Sequence, residues 1–591
     1  MLRDWGGLRR FEAKAGVELK DLRFTIVELP ATVDGRLDGP VAKDVYSLFR
    51  YPARGVPLLE AVCRRAGFED VVSLDPQYNS ASGRLDADDW KRLAGTDVLG
   101  LSVITRTANQ SFELAQRVRA LNPRVKIIFG GPHPTALPEE SLQFGDVVVA
   151  HEGDATLPLL LDRLHDNLAH PHLKDLLGIS YRGGDGEILC NPDRPYLTGD
   201  ELSELPFPLY SDRVNRGITH NVVNTSRGCP YECDFCSVIE NFGRGFRYLS
   251  DDAALALIRH TIRLNGKPIF FGDDIFAANR ARTTRLLERL LSEGVKMPRW
   301  FAQVRVETAQ DPQLLRLMKR AGCAMVFIGL ESVNEETLRL FNKHSTLEKN
   351  RSAIAAFNEA GIRVHGMFVL GSDADTPETL SQTLEFARQS RLTTTQFFAL
   401  TAVPGPPLTR RLAEEKRIFA WGDWQLFDAQ HAVVCAARIS PSELQAGIFR
   451  ISKQFYSVSE ALRHLARGRW VDFALRLQGS FLTRRIERDN LPYTRALDRF
   501  DKVRAELGAE LDKLADKARA KLRDYSVGIG DGQARAKAYF SDLCKQLESA
   551  CDQFNLEMVP YGHALREMAT KKLETHLQAL TAEPLKQLPA R

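Results

Sequence analysis

What this sequence lacks narrows it first. No uninterrupted apolar run reaches the roughly 18 residues that a membrane-spanning helix requires. The segment Met1 to Arg10 is charged and has no apolar core, so no secretory signal is expected. No internal repeat and no low-complexity tract occurs. Net charge is only +4 over 591 residues, an excess too small to imply a nucleic-acid partner. Cysteine is scarce and odd in number, nine in all, with three in one short loop. That pattern excludes a fully disulfide-paired scaffold and leads us to expect a reduced, cytoplasmic protein. The six cysteines outside the loop, Cys63, Cys190, Cys323, Cys435, Cys544 and Cys551, read as small buried hydrophobes.

What is present is a chain too long for one core, 44% hydrophobic and 26% charged, for which several domains are expected. Residues 21–160 alternate strand and helix patterns, with apolar strands at 23–28, 70–74, 97–104, 125–129 and 146–150. Short buried strands separated by helices imply a doubly wound parallel sheet, whose ligands sit beyond the strands' carboxyl ends. Residues 186–215 are dense in proline and read as an interdomain linker. A second alternation follows, with strands at 221–225, 268–272, 300–304, 325–330, 363–370 and 396–400. After about residue 440 the strands stop. Leu507, Leu511, Leu514 and Ala518 then show helical spacing, and Gly528 to Gly532 marks a break between helices. The expected division is 1–190, a linker 191–215, 216–440, and a helical region 441–591.

The most specific feature is the run Arg227-Gly228-Cys229-Pro230-Tyr231-Glu232-Cys233-Asp234-Phe235-Cys236. Thiolates are the usual protein ligands of iron–sulfur clusters, and three of them leave one iron of a cubane open. The alternatives are unrelated buried cysteines or a zinc site, although zinc normally wants a fourth Cys or His and none lies in the loop. The C-x3-C-x2-C spacing, with Phe235 before the last cysteine, resembles the signature of the radical S-adenosylmethionine enzymes. The resemblance implies that Cys229, Cys233 and Cys236 hold a [4Fe–4S] cluster whose open iron binds S-adenosylmethionine. It also implies that residues 216–440 form that family's partial (β/α)6 barrel. The cysteine loop follows the first barrel strand, where the family has it.

The amino-terminal half resembles the cobalamin-binding domains found ahead of the barrel in one subclass of that family. Ser102 and Thr105, in Ser-Val-Ile-Thr, follow the third strand like the Ser-x-x-Thr that meets the corrin and its nucleotide tail. Gly130 and Gly131 follow the fourth strand, where paired glycines let backbone approach a ligand. Glu152, Gly153 and Thr156, in His-Glu-Gly-Asp-Ala-Thr, follow the fifth, with His151 where that family usually has glycine. A flavodoxin-like sheet whose glycines merely turn the chain is the alternative. The Asp-x-His-x-x-Gly of better known cobalamin domains is missing, so cobalamin without a histidine ligand from this protein is expected. Arg54 either approaches the cofactor's lower face or is a solvated arginine at a helix start. His133, in the glycine loop, reads as structural.

In the barrel, Gly272, Asp273 and Asp274 end the second strand, where the family holds the ammonium of S-adenosylmethionine with a carboxylate and carbonyls. Either aspartate could instead cap the following helix. Gln303 and Arg305 end the third strand, and Glu331 and Ser332 the fourth. By resemblance these reach the cofactor's ribose and carboxylate, although Arg305 and Glu331 could instead form a rim salt bridge. Gly371 to Thr376 is expected to shape the adenine pocket. Ala402-Val-Pro-Gly-Pro-Pro resembles a turn of the subclass.

Residues 451–500 hold ten Lys/Arg against five Asp/Glu, interleaved with Phe455, Tyr456, Trp470, Phe473 and Phe481. Such a stretch suits either an anionic membrane surface or an ordinary helix packed on the barrel mouth. The resemblance implies a methylase acting on an unactivated carbon of a small molecule or lipid, with cobalamin as methyl carrier and a flavodoxin or ferredoxin as electron donor. Oxygen sensitivity is expected with the cluster. No general base is needed for the radical step, and no His/Asp pair is evident. A cyclase or rearrangement enzyme with the same cofactors is the rival reading, and a non-catalytic cobalamin sensor a third.

Overall fold

The computed structural model describes residues 18–42, 49–79, 83–525, 545–546, 554 and 556–582. The first sheet is built from β1 (Phe24–Glu28), β2 (Val71–Leu74), β3 (Val98–Ser102), β4 (Lys126–Gly130), β5 (Val147–Val149), β6 (Ile179–Arg182) and β7 (Ile188–Cys190), in the order β2-β1-β3-β4-β5-β6-β7. The first five strands are parallel, as expected. They are apolar on both faces because both faces are covered. Phe24, Ile26, Val98 and Ile128 pack under the helices α1 (Gly55–Arg65) and, further along the chain, Gly153–Asp166. Val27, Leu99, Leu101, Ile127 and Phe129 pack on the other side under α2 (Ala108–Leu121). Helix Gly153–Asp166 is α3.

β6 and β7 are an antiparallel addition to the expected all-parallel sheet. The loop Gly183-Gly184-Asp185-Gly186 is too short for a crossover, so it folds as a hairpin, with Gly186 at φ 87°. Cys190 ends this hairpin in an exposed position, whereas Cys63, Cys323 and Cys435 are buried as expected. Cys544, Cys551, the Gly528–Gly532 break and the side chain of Ala518 lie outside the described residues.

The second sheet opens with β8 (Asn221–Val223). A two-stranded antiparallel ribbon follows, β9 (Ser226–Arg227) with β10 (Arg247–Tyr248), and the cysteine loop lies between its strands. Five more strands complete the sheet: β11 (Ile269–Phe271), β12 (Trp300–Val304), β13 (Cys323–Glu331), β14 (Arg363–Leu370) and β15 (Thr394–Ala399). All six are parallel in simple sequence order, and β8 and β15 are the two edges, so the barrel is partial. Helices α4 (Asp251–Asn265), α5 (Arg280–Ser292), α6 (Pro312–Arg320), α7 (Leu347–Glu359) and α8 (Pro377–Gln389) alternate with them.

The last part is helical: α9 (Pro441–Phe455), α10 (Val458–Ala466), α11 (Trp470–Asp489), α12 (Leu491–Tyr525) and α13 (Gly562–Ala582). Leu507, Leu511 and Leu514 are buried on α12. One of the two readings of 451–500 put a helix on the barrel mouth; α9, which runs into that stretch, packs on α8 and along the edge strand β15. Tyr456 is the reason. Its hydroxyl accepts from the amide of Thr395 at 2.9 Å and donates to the carbonyl of Thr395 at 2.7 Å, filling a ladder position that an edge strand leaves open. What lies at the carboxyl end of β15 is the connecting segment, whose Ala429 carbonyl accepts from Ala399 at 2.9 Å. Among the described residues no helix is long and apolar enough to cross a membrane.

Candidate active site between the two sheets

The carboxyl ends of both parallel sheets border one cavity of about 450 Å³. The first sheet contributes Glu28, Ser102 and Gly130, and the second contributes Asn224, Gly272 and Asp274. An apolar arm of the same cavity runs down the first sheet between Ile26, Ile128, Val149 and Leu157. Gly100 keeps that arm open: a Cβ there would lie 3.0 Å from the ring of Phe24.

On the first sheet, Ser102 donates to Glu28 at 3.3 Å, and Thr105 is buried in the turn after β3. Burial raises the pKa of Glu28, and Arg54 opposes it. Arg54 is neither a free surface cation nor a cap alone. It crosses between the sheets and donates to the Gly272 carbonyl at 3.1 Å. Of the paired glycines, Gly131 is required locally, since φ is 98° and a Cβ would lie 2.8 Å from the Val103 carbonyl. Gly130 meets nothing closer than 3.6 Å, so it leaves room on the cavity side. His133 is buried, with Nε2 3.0 Å from Glu140 and its ring edge-on to Trp424, a structural position as expected.

His151 adopts φ 56°, the left-handed region where glycine is at home. The glycine of the resembling motif thus marks a backbone requirement that this chain meets with a histidine. Thr135 Oγ1 accepts the His151 amide at 3.0 Å and holds the turn. Gly153 begins α3 and lines the cavity.

Glu152 lines the cavity, and both it and Thr156 are engaged by arginines. Glu152 accepts from Arg247 at 2.8 Å, from Arg227 at 3.1 Å and from the Leu197 amide at 3.0 Å. Asp154 completes the group by accepting from Arg227 at 2.7 Å. Thr156 is fully buried and accepts from Arg194 at 2.8 Å. Their oxygens are taken by arginines, so these side chains hold the wall in place.

The cysteine loop is tied down at both ends. Gly228 has φ 86°, and a Cβ there would lie 2.4 Å from the Gly245 carbonyl. Its amide donates to Asp274 at 3.2 Å. Asn342, after the short helix Glu335–Leu340 that follows β13, donates to the Glu232 carbonyl at 2.7 Å, and Phe235 packs on Phe341. Burial pushes all three thiols up, Cys236 to about 12; Cys233 adds to the rise of Cys229 and of Cys236, while Glu331 adds to that of Cys233 against Lys343 and Arg305. Among the described residues no group of three His, Cys, Asp or Glu side chains is arranged to hold a metal ion. Three thiols of one short loop, all partly buried and with raised pKa values, suit a polynuclear iron–sulfur group, which neutralises thiolates on binding.

Asp273 is fully committed to the backbone. It accepts from the Ser226 amide at 2.8 Å and from the Thr225 amide and hydroxyl, so it shapes the entry to the cysteine loop rather than facing the cavity. Neither aspartate caps α5; Asn279 does, accepting from the Arg282 amide at 3.0 Å. Asp274 faces the cavity, where burial raises its pKa to about 6 against Arg54, with Asp273 adding to the rise.

Gln303 is exposed on β12. The alternative Arg305–Glu331 salt bridge does not form. Arg305 lies over the Tyr231 ring at 3.8 Å and pairs with Glu307 at 3.1 Å, while Glu331, at φ 59°, pairs with Lys343 at 2.8 Å. Ser332 is fully buried and accepts from the Asn334 amide at 3.0 Å, so it is a turn residue. In the Gly371–Thr376 turn, Asp375 is spent on the amides of Gly371 and Ser372.

Sequence reasoning missed Tyr231, Arg227, Arg247 and Lys343, whose partners are distant in the chain. It also missed a His/Asp pair, for which Asp-x-x-His spacing was the only signal. His431 Nδ1 lies 2.9 Å from Asp428 and Nε2 2.5 Å from Asn490 Oδ1. Burial opposes the charged ring, but Asp428 and Asn490 outweigh it and raise the pKa. Both ring nitrogens are engaged, so the pair braces the segment after β15.

An open six-stranded β/α barrel with three cysteines after its first strand, joined to a nucleotide-fold sheet across a shared cavity, defines a class of radical enzyme with two cofactor cradles. Residues 223–387 match the radical SAM superfamily and residues 45–161 match the B12 binding domain. The chain is 30% identical over 323 residues to an uncharacterized methyltransferase of Pyrococcus horikoshii, covering 53% of this chain and 68% of that one. It is 26% identical over 400 residues to the bacteriochlorophyllide d C-12(1)-methyltransferase of Chlorobaculum tepidum, covering 66% and 82%. The fold is like that of the cobalamin-dependent S-adenosylmethionine radical enzyme OxsB, with a TM-score of 0.59 and 16% identity over 96% of this chain and 84% of that one. The protein belongs to the radical S-adenosylmethionine family, in the branch that carries a cobalamin-binding domain ahead of the barrel. Its cofactors are those of that branch: a [4Fe–4S] cluster, S-adenosylmethionine and cobalamin.

Proposed function

We propose that this protein is a cobalamin-dependent radical methylase that places a methyl group on an unactivated carbon of a small-molecule or lipid substrate. The observation that carries the reading is the single cavity bordered by the carboxyl ends of both sheets, which gives two cofactors one common space. The names of the relatives, methyltransferases acting in one case on bacteriochlorophyllide, support it.

In this reading Cys229, Cys233 and Cys236 hold the cluster. The Gly272 carbonyl and Asp274 take the cofactor's ammonium, and Gln303, Arg305 and Glu331 its ribose and carboxylate. Ser102, Gly130, Gly131 and Gly153, which line the cavity, take the cobalamin side, with Thr105 in the turn beside them. Asp273, Ser332, Glu152 and Thr156 position those groups from behind. When bound, the cluster with S-adenosylmethionine supplies a 5′-deoxyadenosyl radical, and cobalamin carries the methyl group. The chain's own work is positional: Asp273 and Asp274 fix Thr225 to Gly228, and Arg54 ties one wall of the cavity to the other.

The same reading makes the protein cytoplasmic and oxygen-sensitive, served by a flavodoxin or ferredoxin. A peripheral membrane contact also belongs to it, supported by the basic and aromatic stretch 451–500.

The test is anaerobic incubation of reconstituted protein with cobalamin, a low-potential reductant and S-adenosylmethionine carrying a labelled methyl group. Label on cobalamin together with 5′-deoxyadenosine is expected. Deoxyadenosine without labelled cobalamin would replace methyl transfer with the cyclase or rearrangement reading, and an apo-protein that cleaves nothing would favour the sensor.

A further inference from the structure

Helix α11 buries polar groups and leaves large apolar ones outside. Its buried residues are Asp472, Arg476, Gly479, Ser480, Leu482 and Thr483. Arg476 is 3% exposed and donates to the carbonyls of Phe455 at 2.9 Å and Leu392 at 2.7 Å, while Asp472 accepts from Arg363 at 3.0 Å. Among the outward residues are large apolar ones: Trp470 is 68% exposed, Phe481 66% and Val471 41%. Trp470 and Phe481 are three turns apart and lie on one stripe. The neighbouring helix α10 repeats the inversion, burying Ala461 and His464 while Val458 is 36% and Leu462 51% exposed. The two helices pack together as a hairpin.

A helix facing water normally points its polar side outward. Two adjacent helices that reverse this rule present an apolar surface built to be covered. The rim identifies the cover. Leaving out the buried Arg476 and Asp472, residues 458–489 carry six arginines against three acids. The side chains of Arg463, Arg485 and Arg488 are 63%, 50% and 71% exposed and pair only at the surface, Arg463 with Glu460 and the other two sharing Asp489, so solvent-screened partners are all that a lipid phosphate would displace. A second copy docked on this face by two-fold symmetry would set arginine rim against arginine rim. An anionic lipid surface meets both the apolar stripe and the positive rim.

We propose that the hairpin 458–489 docks the enzyme on an anionic membrane surface, with Trp470, Phe481 and Leu462 entering the headgroup–acyl boundary and the arginines pairing with lipid phosphates. The buried polar face fastens this hairpin to the barrel flank at Leu392 and Arg363. The inference does not depend on methyl transfer, and its test uses no turnover.

The full chain is mixed with vesicles of phosphatidylcholine, alone or with phosphatidylglycerol, and sedimented. Binding to the mixed vesicles that weakens as salt is added is expected. W470E/F481E, which alters only exposed positions, should lose at least about tenfold in binding while keeping the wild-type circular dichroism spectrum. R463Q/R485Q/R488Q should lose the preference for phosphatidylglycerol. Absence of vesicle binding by the wild type, or equal binding by W470E/F481E, would overturn the proposal. So would a concentration-dependent dimer abolished by W470E/F481E, because the cover would then be a second copy.

Discussion

Glu152 and Arg227 meet at 3.1 Å across the boundary between the two sheets, and neither is freely solvated: their side chains are 5% and 18% exposed. Arg227 stands two residues before Cys229, and Arg247 on the partner strand of the ribbon reaches the same carboxylate. One side chain of the first sheet's last parallel loop therefore holds both strands that bracket the cysteine loop. Glu152→Gln should cost about 2–3 kcal/mol of stability, since a buried ion loses its partner while Asp154 retains part of the pairing. The denaturation midpoint measures this. The reduced cluster and cob(II)alamin should also show weaker magnetic coupling in the electron paramagnetic resonance spectrum, and unchanged coupling would remove Glu152 from any positioning role.

Gly228→Ala should prevent the cysteine loop from closing. An alanine would carry φ 86° and press its Cβ to 2.4 Å from the Gly245 carbonyl, a strain of about 2–3 kcal/mol. Iron content after anaerobic reconstitution is expected to fall sharply, and 5′-deoxyadenosine with it. Full iron loading would show that the ribbon yields more readily than its contacts indicate.

Asp75, just beyond β2, predicts an unusual pH dependence. Burial raises its pKa from the usual 3.8 to about 7, and the carboxylate of Glu28 adds to the rise. The unfolded chain releases this proton near pH 4 while the folded chain keeps it until about pH 7. Stability is therefore undiminished at low pH, is lost as pH rises through that window, and the penalty is complete above it. Asp75→Asn should stabilise the protein at pH 8 by up to about 4 kcal/mol and give no such gain near pH 4. Urea unfolding at the two pH values checks the sign.

Tyr456→Phe should uncover the edge of β15. Both backbone groups of Thr395 lose their partner, at a cost of about 1–3 kcal/mol. Faster amide exchange at Thr395 and a greater tendency to aggregate on warming are expected, and protection equal to the wild type would mean that another group takes the edge.

Much of this was legible because it is local. The strands are short apolar runs bounded by glycine, proline or charge, and the cysteine loop is a contiguous motif. The reversal at β6–β7 was obscured because its glycine-rich turn sits beside a proline-rich stretch that reads as linker. The cavity walls were misread where partners lie far apart. Glu152 and Arg227 are 75 residues apart, and nothing near Arg305 in sequence signals Tyr231. For α11 the composition displayed arginines among aromatics, but which side faced inward depended on Arg476 finding the Leu392 carbonyl.

The cavity belongs to neither sheet alone, since each supplies only one of its walls. Any molecule that fills it adds a strut to the ties that Arg54 and Glu152 already make between the two sheets. Loading should thus be cooperative, with occupation of one cradle favouring occupation of the other and raising the melting temperature by linkage.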